Sequence, residues 1–189
     1  MFNGQMWVLG GYDAGNHFND VWSSSDGANW TEVTPSAPWS PRDSFAAVVF
    51  NGRMWVLGGF NGNYFNDVWS SSDGTNWTEA TSAAQWSPRY EPTGAVFTEQ
   101  MWVMGGNDSG GDYLNDVWSS PDGTNWTQVT AAAPWSPRHA TAVVFNGQMW
   151  VLGGARNGSG LNDVWSMSGA TTTNNVSVQL GQFYLFQKQ

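Results

Sequence analysis

Three arginines recur at matching positions along the chain, Arg42, Arg89 and Arg138, each ending the tetrapeptide Trp-Ser-Pro-Arg. Guanidinium groups gathered from separate units could clamp a carboxylate ligand through forked hydrogen bonds. Four aspartates keep the same phase, Asp20, Asp67, Asp116 and Asp163, each within Asn-Asp-Val-Trp. Opposite charges repeated in this way predict inter-unit ion pairs or turn caps instead, because a binding site seldom needs the same residue from every copy. The other groups suited to acid–base or metal chemistry are His17 and His139, at positions that do not correspond between copies. Two isolated imidazoles do not make a metal site. No Ser-His-Asp spacing is present, and a chain without cysteine has no thiol chemistry. The expectation is no catalytic residue, no metal and no cofactor.

What must position these groups is a repeat. Asn-Asp-Val-Trp begins at residues 19, 66, 115 and 162, at intervals of 47, 49 and 47 residues. That period belongs to propellers, solenoids or arrays. Met-Trp-Val-(Leu/Met)-Gly-Gly returns in phase at residues 6–11, 54–59, 101–106 and 149–154, and Asp-Gly-x-Asn-Trp at 26–30, 73–77 and 122–126. All fourteen tryptophans fall on these landmarks. None is left over to mark a special site, and Trp22, Trp69, Trp118 and Trp165 are read as framework with the four aspartates.

One copy reads as four strands, residues 44–50, 53–57, 67–71 and 77–81. Asn51-Gly52 supplies the positive φ angles of a tight hairpin turn. Residues 54–57 are apolar without alternation, as in a strand buried on both faces. Gly58-Gly59 ends that strand and is read as structural; Asp73-Gly74 then turns the third strand onto the fourth. No helical periodicity is sustained anywhere. Four-stranded antiparallel units buried on both faces stack radially with few exposed edges, which predicts an all-β propeller.

The double glycine after an aromatic-bearing apolar strand, the following Asn-Asp-Val-Trp and the later tryptophan resemble kelch repeats, over nearly the whole chain. The stretch Asp-Val-Trp-Ser-Ser-x-Asp-Gly-x-Asn-Trp looks more like the kelch-like repeats of bacterial proteins than those of eukaryotic adaptors. The resemblance implies four kelch-like blades, approximately residues 1–38, 39–85, 86–134 and 135–180, and a role as binding platform, scaffold or enzyme body. Galactose-oxidase chemistry is disfavoured, since its thioether-linked tyrosine needs a cysteine. Asp26, Asp73 and Asp122, with Ser24, Ser71 and Ser120 nearby, resemble the sialidase Asp-box, although Asp and Gly stand one residue closer here. The turn-stabilising reading is preferred, and one carboxylate per loop is too few for calcium.

The ends depart from the pattern. Residues 1–4 align with 49–52 and 144–147, so blade one lacks most of its first strand. Residues 169–189 leave the repeat. Residues 176–180 are expected to complete blade four, and 183–186, within a possible closing strand 181–189, to supply blade one's missing strand and close a four-bladed ring. The rival expectations are a piece of a longer propeller, or a homo-oligomer closing a larger ring.

Six Lys and Arg against fifteen carboxylates give a formal charge of −9. This disfavours nucleic acid and anionic membrane surfaces as partners, and no apolar run is long enough to span a bilayer. Residues 1–4 lead directly into repeat sequence, so no secretion signal is expected in this chain; an extracellular or cell-surface setting is favoured.

If repeated positions are framework, function belongs to positions that differ. After each linker arginine stand Asp43, Tyr90 and His139. The segments after the double glycines carry Tyr12, His17, Tyr64, Tyr113 and Arg156 among aspartates and asparagines. Together with Arg42, Arg89 and Arg138, these are the candidate ligand contacts. Aromatic faces mixed with hydrogen-bonding groups suit a glycan or a peptide. The expected function is a non-catalytic binding or protein-interaction scaffold; the alternatives are a sialidase-like glycan-processing enzyme using the arginines, and a structural repeat assembling into rings or fibres.

Overall fold

The computed structural model describes residues 1–169 and the backbone of 184–186. Blade one holds β1 (Met6–Asp13), β2 (Asn16–Ser24) and β3 (Thr31–Thr34). Blade two holds β4 (Ala46–Phe50), β5 (Arg53–Phe60), β6 (Tyr64–Ser71) and β7 (Trp77–Thr81). A short β8 (Arg89–Tyr90) leads into blade three, with β9 (Thr93–Phe97), β10 (Gln100–Met104), β11 (Asn107–Asp108), β12 (Val117–Ser120) and β13 (Thr127–Thr130). Blade four holds β14 (His139–Phe145), β15 (Gln148–Arg156), β16 (Ser159–Ser168) and β17 (Tyr184–Phe186). Neighbouring strands run antiparallel in sequence order within each blade; β11 leaves the blade-three sheet to pair with β8. No helix occurs among the described residues.

The hairpin chemistry explains these boundaries. Asn51 and Gly52 take φ of 47° and 67°, the left-handed pair that matches strand twist. The second strand does not end at the double glycine as expected. β5 continues to Phe60 with a bulge between Leu57 and Gly59, and β6 starts at Tyr64. The bulge needs glycine on two counts. Gly59 has φ 107°, and a Cβ there would lie 2.7 Å from the Asp43 carbonyl oxygen.

The core is a set of sandwiches between blades. Side chains alternate across the second strand of each blade, so Met54 and Val56 face blade one while Trp55 and Leu57 face blade three. Leu57, Met101 and Val103 meet Trp86 and Trp126 in one such layer, and Met104, Val117, Met149 and Val151 meet Trp135 in the next. Linker tryptophans pack edge-on against the following blade, Trp39 on Trp77 at 5.9 Å and Trp86 on Trp126 at 5.8 Å between ring centres. Each fully buried ring of this size contributes about 2–3 kcal/mol through the area it removes from water.

The tail behaves differently from the closing strand expected. Tyr184–Phe186 pairs antiparallel with β16, Trp165 opposite Leu185, and so forms the outer strand of blade four rather than the missing strand of blade one. The open edge of β16 is the nearer of the two in sequence, so pairing there closes the shorter loop. The segment 176–180 lies outside the described residues. Among the described residues no hydrophobic cluster joins blade four to blade one.

Candidate functional site

The repeated polar residues are spent on the frame. Asn19, Asn66 and Asn115 donate from Nδ2 to two linker carbonyls each, for Asn66 those of Ala84 and Trp86 at 3.0 and 3.1 Å. The neighbouring aspartates accept from their own tryptophan, as Asp116 does from Trp118 Nε1 at 2.7 Å. Asp67, Asp116 and Asp163 also receive the arginines. Arg89 donates to both oxygens of Asp116 at 2.7 and 2.8 Å, to the Gly105 carbonyl at 3.0 Å and to the Ser87 carbonyl at 3.0 Å. Arg42 pairs in the same way with Asp67, and Arg138 with Asp163. The Arg42 and Arg138 amides bond to the preceding blade, at Phe18 and Leu114, while their guanidiniums reach the next. The arginine side chains are only 0 to 2 % exposed. The donors of Arg42, Arg89 and Arg138, candidate ligand contacts from the sequence, are thus spent on carboxylates and carbonyls inside the frame. Arg138 holds the Asp163 carboxyl below its ordinary range.

The Asp-Gly turns are equally self-contained. Asp73 accepts from the amides of Thr75 and Asn76 and from Asn76 Nδ2, while Ser71 Oγ accepts from the Gly74 amide. Bonds from Asn76 lower the Asp73 carboxyl to about 2, and the matching turn at Asp26 lowers that group as well.

The non-repeating residues do come together. Tyr12 packs on His17 at 4.9 Å between ring centres, and His17 Nε2 stands 3.6 Å from Asp43 Oδ1. His17 meets the edge of Phe60, which in turn contacts Tyr64 at 5.0 Å and Tyr90 at 5.6 Å. Glu91 pairs with His139 at 3.1 Å, and His139 lies 5.6 Å from Tyr113. The result is a band of aromatic rings and two histidine–carboxylate pairs drawn from all four blades. Ser44, Phe45, Glu91, Pro92, His139 and Ala140 line a cleft of ≈ 290 Å³ beside it. Asp43 Oδ1 and Asn107 Oδ1 are buried without a hydrogen-bond partner among the described residues. Burial raises the Tyr90 phenol, with Asp43 and Glu91 adding to the effect.

Backbone pairing sets this band. Asp43 exchanges both hydrogen bonds with Phe60, Tyr90 lies opposite Asn107, and His139 opposite Ala155. The residue after each linker arginine is thereby held beside the first residue after the double glycine. Seven sequence candidates meet in the band, namely Tyr12, His17, Asp43, Tyr64, Tyr90, Tyr113 and His139. Arg156 is exposed at the end of β15 opposite Ser159. Sequence reasoning missed Phe60 and Glu91. Phe60 had a signal, since it aligns with Tyr12 as the aromatic after the double glycine. Glu91 had none, because its neighbour His139 arrives from another blade. Ser44 and Glu91 have φ of 52° and 49°, a conformation costly for side-chain-bearing residues and frequent at functional sites.

Among the described residues no group of three or more His, Cys, Asp or Glu could hold a metal ion. The blades and the surface band together define a repeat scaffold of the propeller type, its repeated polar groups bonded within the frame and its variable ones grouped in the band. The chain matches the KLHDC2/KLHL20/DRC7 Kelch-repeats domain over residues 29–180, and it belongs to the Kelch-repeat family. No curated protein matches it.

Proposed function

We propose that this kelch-repeat scaffold is non-catalytic and engages its partner through the band from Tyr12 to His139, and that the partner presents a peptide segment carrying cationic or hydrogen-bond-donating side chains. The observation that carries the reading is the contact chain crossing all four blades, made of residues that differ between otherwise matching repeats. Aromatic faces supply rigid contact area and cation–π attraction. The carboxylates of Asp43 and Glu91 favour donors over acceptors. The net charge of −9 points the same way. The sialidase-like alternative loses its support, since the clamp it needs is locked onto Asp67, Asp116 and Asp163.

The test is a combined peptide and glycan array, followed by calorimetry of the best hit with Tyr90→Ala and His139→Ala. Each truncation of a central contact is expected to weaken binding at least about tenfold, or ~1.4 kcal/mol. Glu79→Gln, on the exposed face of β7, serves as control. An affinity unchanged in both band variants refutes the placement, and a glycan as best hit refutes the peptide assignment.

A further inference from the structure

The cleft beside the band is built from the same short stretch of three successive blades. Ser44 and Phe45, Glu91 and Pro92, and His139 and Ala140 each follow a linker arginine and lead into a first strand. The arginines themselves turn inward to Asp67, Asp116 and Asp163. Glu91 brings a carboxylate to the cleft, His139 an imidazole, and Phe45, Pro92 and Ala140 apolar walls.

Bonds between blades fix these walls. The Glu91 amide donates to the Ser44 carbonyl, and Thr93 Oγ1 to the Ala140 carbonyl, both at 2.9 Å. Ser44 and Glu91 take φ of 52° and 49°, and Ala140 at the matching place does not share that conformation. The costly backbone is thus confined to the two walls that carry a hydroxyl and a carboxylate, where the neighbouring blades hold it in place.

Donors and acceptors decide what fits. His139 Nδ1 donates to Glu91 Oε2 at 3.1 Å, so the neutral ring keeps a lone pair on Nε2. The Glu91 carboxylate also meets the Tyr90 phenol, and with about four lone-pair sites it retains capacity for further donors. Both side chains stay open, 35 % for Glu91 and 31 % for His139. A volume of ≈ 290 Å³ lies below the range of about 300–1,000 Å³ that drug-sized ligands occupy. It suits one long side chain.

We infer that the cleft takes a single arginine side chain of the partner, its guanidinium shared between Glu91 and His139 Nε2 and its stem against Phe45, Pro92 and Ala140. The subsite rests on the peptide-binding reading of the band and adds which residue anchors the peptide there. A guanidinium suits it better than an ammonium, because a planar fork offers several donors at once to acceptors from two blades and sheds water more easily. No linker arginine competes for Glu91, since each is paired with its own aspartate.

Acetyl-arginine amide would be titrated into the 189-residue chain and followed through the imidazole proton resonances. The chain has two histidines, His17 and His139, and a His17→Asn variant assigns them. A saturable shift of the His139 signals is expected, with affinity about fivefold weaker for acetyl-lysine amide and at least about tenfold weaker for acetyl-citrulline amide, which keeps the shape without the charge. Glu91→Gln should lower the arginine affinity at least about tenfold. Glu79→Gln, which removes the same charge from the exposed face of β7, should leave it unchanged. Thermal melting checks that both variants fold, and the comparison of arginine with citrulline needs no variant. No shift at His139, equal affinity for arginine and citrulline, full affinity in Glu91→Gln or an equal loss in Glu79→Gln each overturns the subsite. None of these results touches the band itself, which falls only if the best array peptide binds Tyr90→Ala and His139→Ala as tightly as the unmodified chain.

Discussion

Replacing Arg89 with methionine separates a frame arginine from a ligand clamp. Arg89 is wholly buried and makes a forked pair with Asp116 at 2.7 and 2.8 Å. It also satisfies the carbonyls of Gly105 and Ser87, both at 3.0 Å. Methionine keeps much of the stem volume but loses the guanidinium's approach to the Trp86 ring at 5.7 Å. It strands Asp116 with Trp118 Nε1 as its remaining side-chain donor. Breaking one side of such a pair costs about 3–5 kcal/mol, chiefly because the other charge stays behind without compensation. For a chain of this length that lowers the melting temperature by roughly 10 °C or more. The assay is urea denaturation followed by tryptophan fluorescence, with Asp116→Asn and the double variant completing a cycle. The double variant should recover part of the loss, giving a coupling of about 1–3 kcal/mol. A loss below about 1 kcal/mol for Arg89→Met, or additive single variants, would refute the claim that the linker arginines bolt one blade to the next.

Blade three places Thr98 and Glu99 at φ of 49° and 58°, where the other blades have Asn-Gly. The double replacement Thr98→Asn with Glu99→Gly is expected to stabilise by about 1–2 kcal/mol, read as a higher urea midpoint with unchanged slope. Gly123→Ala would drive a Cβ to 2.2 Å from Trp55, whereas among the described residues Gly27→Ala at nearly the same φ meets only the flexible end of Met6 at 3.0 Å. The first should therefore cost about 1–3 kcal/mol more than the second, and equal losses would show that strain at the turn, not the blade interface, dominates. Asp73 titrates near 2 in the folded chain against an ordinary 3.8, and Asp163 is also lowered. Their contribution is complete above the unfolded value and is lost as acid protonates the folded groups. The melting temperature should fall between pH 4 and 2, and Asp73→Asn should start lower and fall less across that window.

The repeat itself was legible in the sequence because a blade is a local object. Asn-Gly and Asp-Gly turns, apolar strands and double glycines act over a few residues, so their spacing alone defines four antiparallel sheets. Even the role of Asn-Asp-Val-Trp followed from its repetition, although its bonds did not. The limits appear where distant residues meet. Gly58-Gly59 looks like a strand end, yet the approach of Asp43 from the linker turns it into a bulge that carries β5 on to Phe60. Repetition of the linker arginines and the aspartates predicts ion pairs between units, but which aspartate each arginine takes, and that no donor is left for a ligand, are set only where the blades close over them.

The sequence by itself determined the period, the strands and which positions vary, since these depend on side-chain type and backbone preference over short spans. Tertiary structure alone decided which charges are buried and which rings touch. Glu91 meets His139, and His17 meets Asp43, only because neighbouring blades stack at one spacing. It also decided that Phe145 is exposed while Phe50, the same residue in the same motif, is not. Among the described residues blade three covers Phe50, and no such layer covers Phe145.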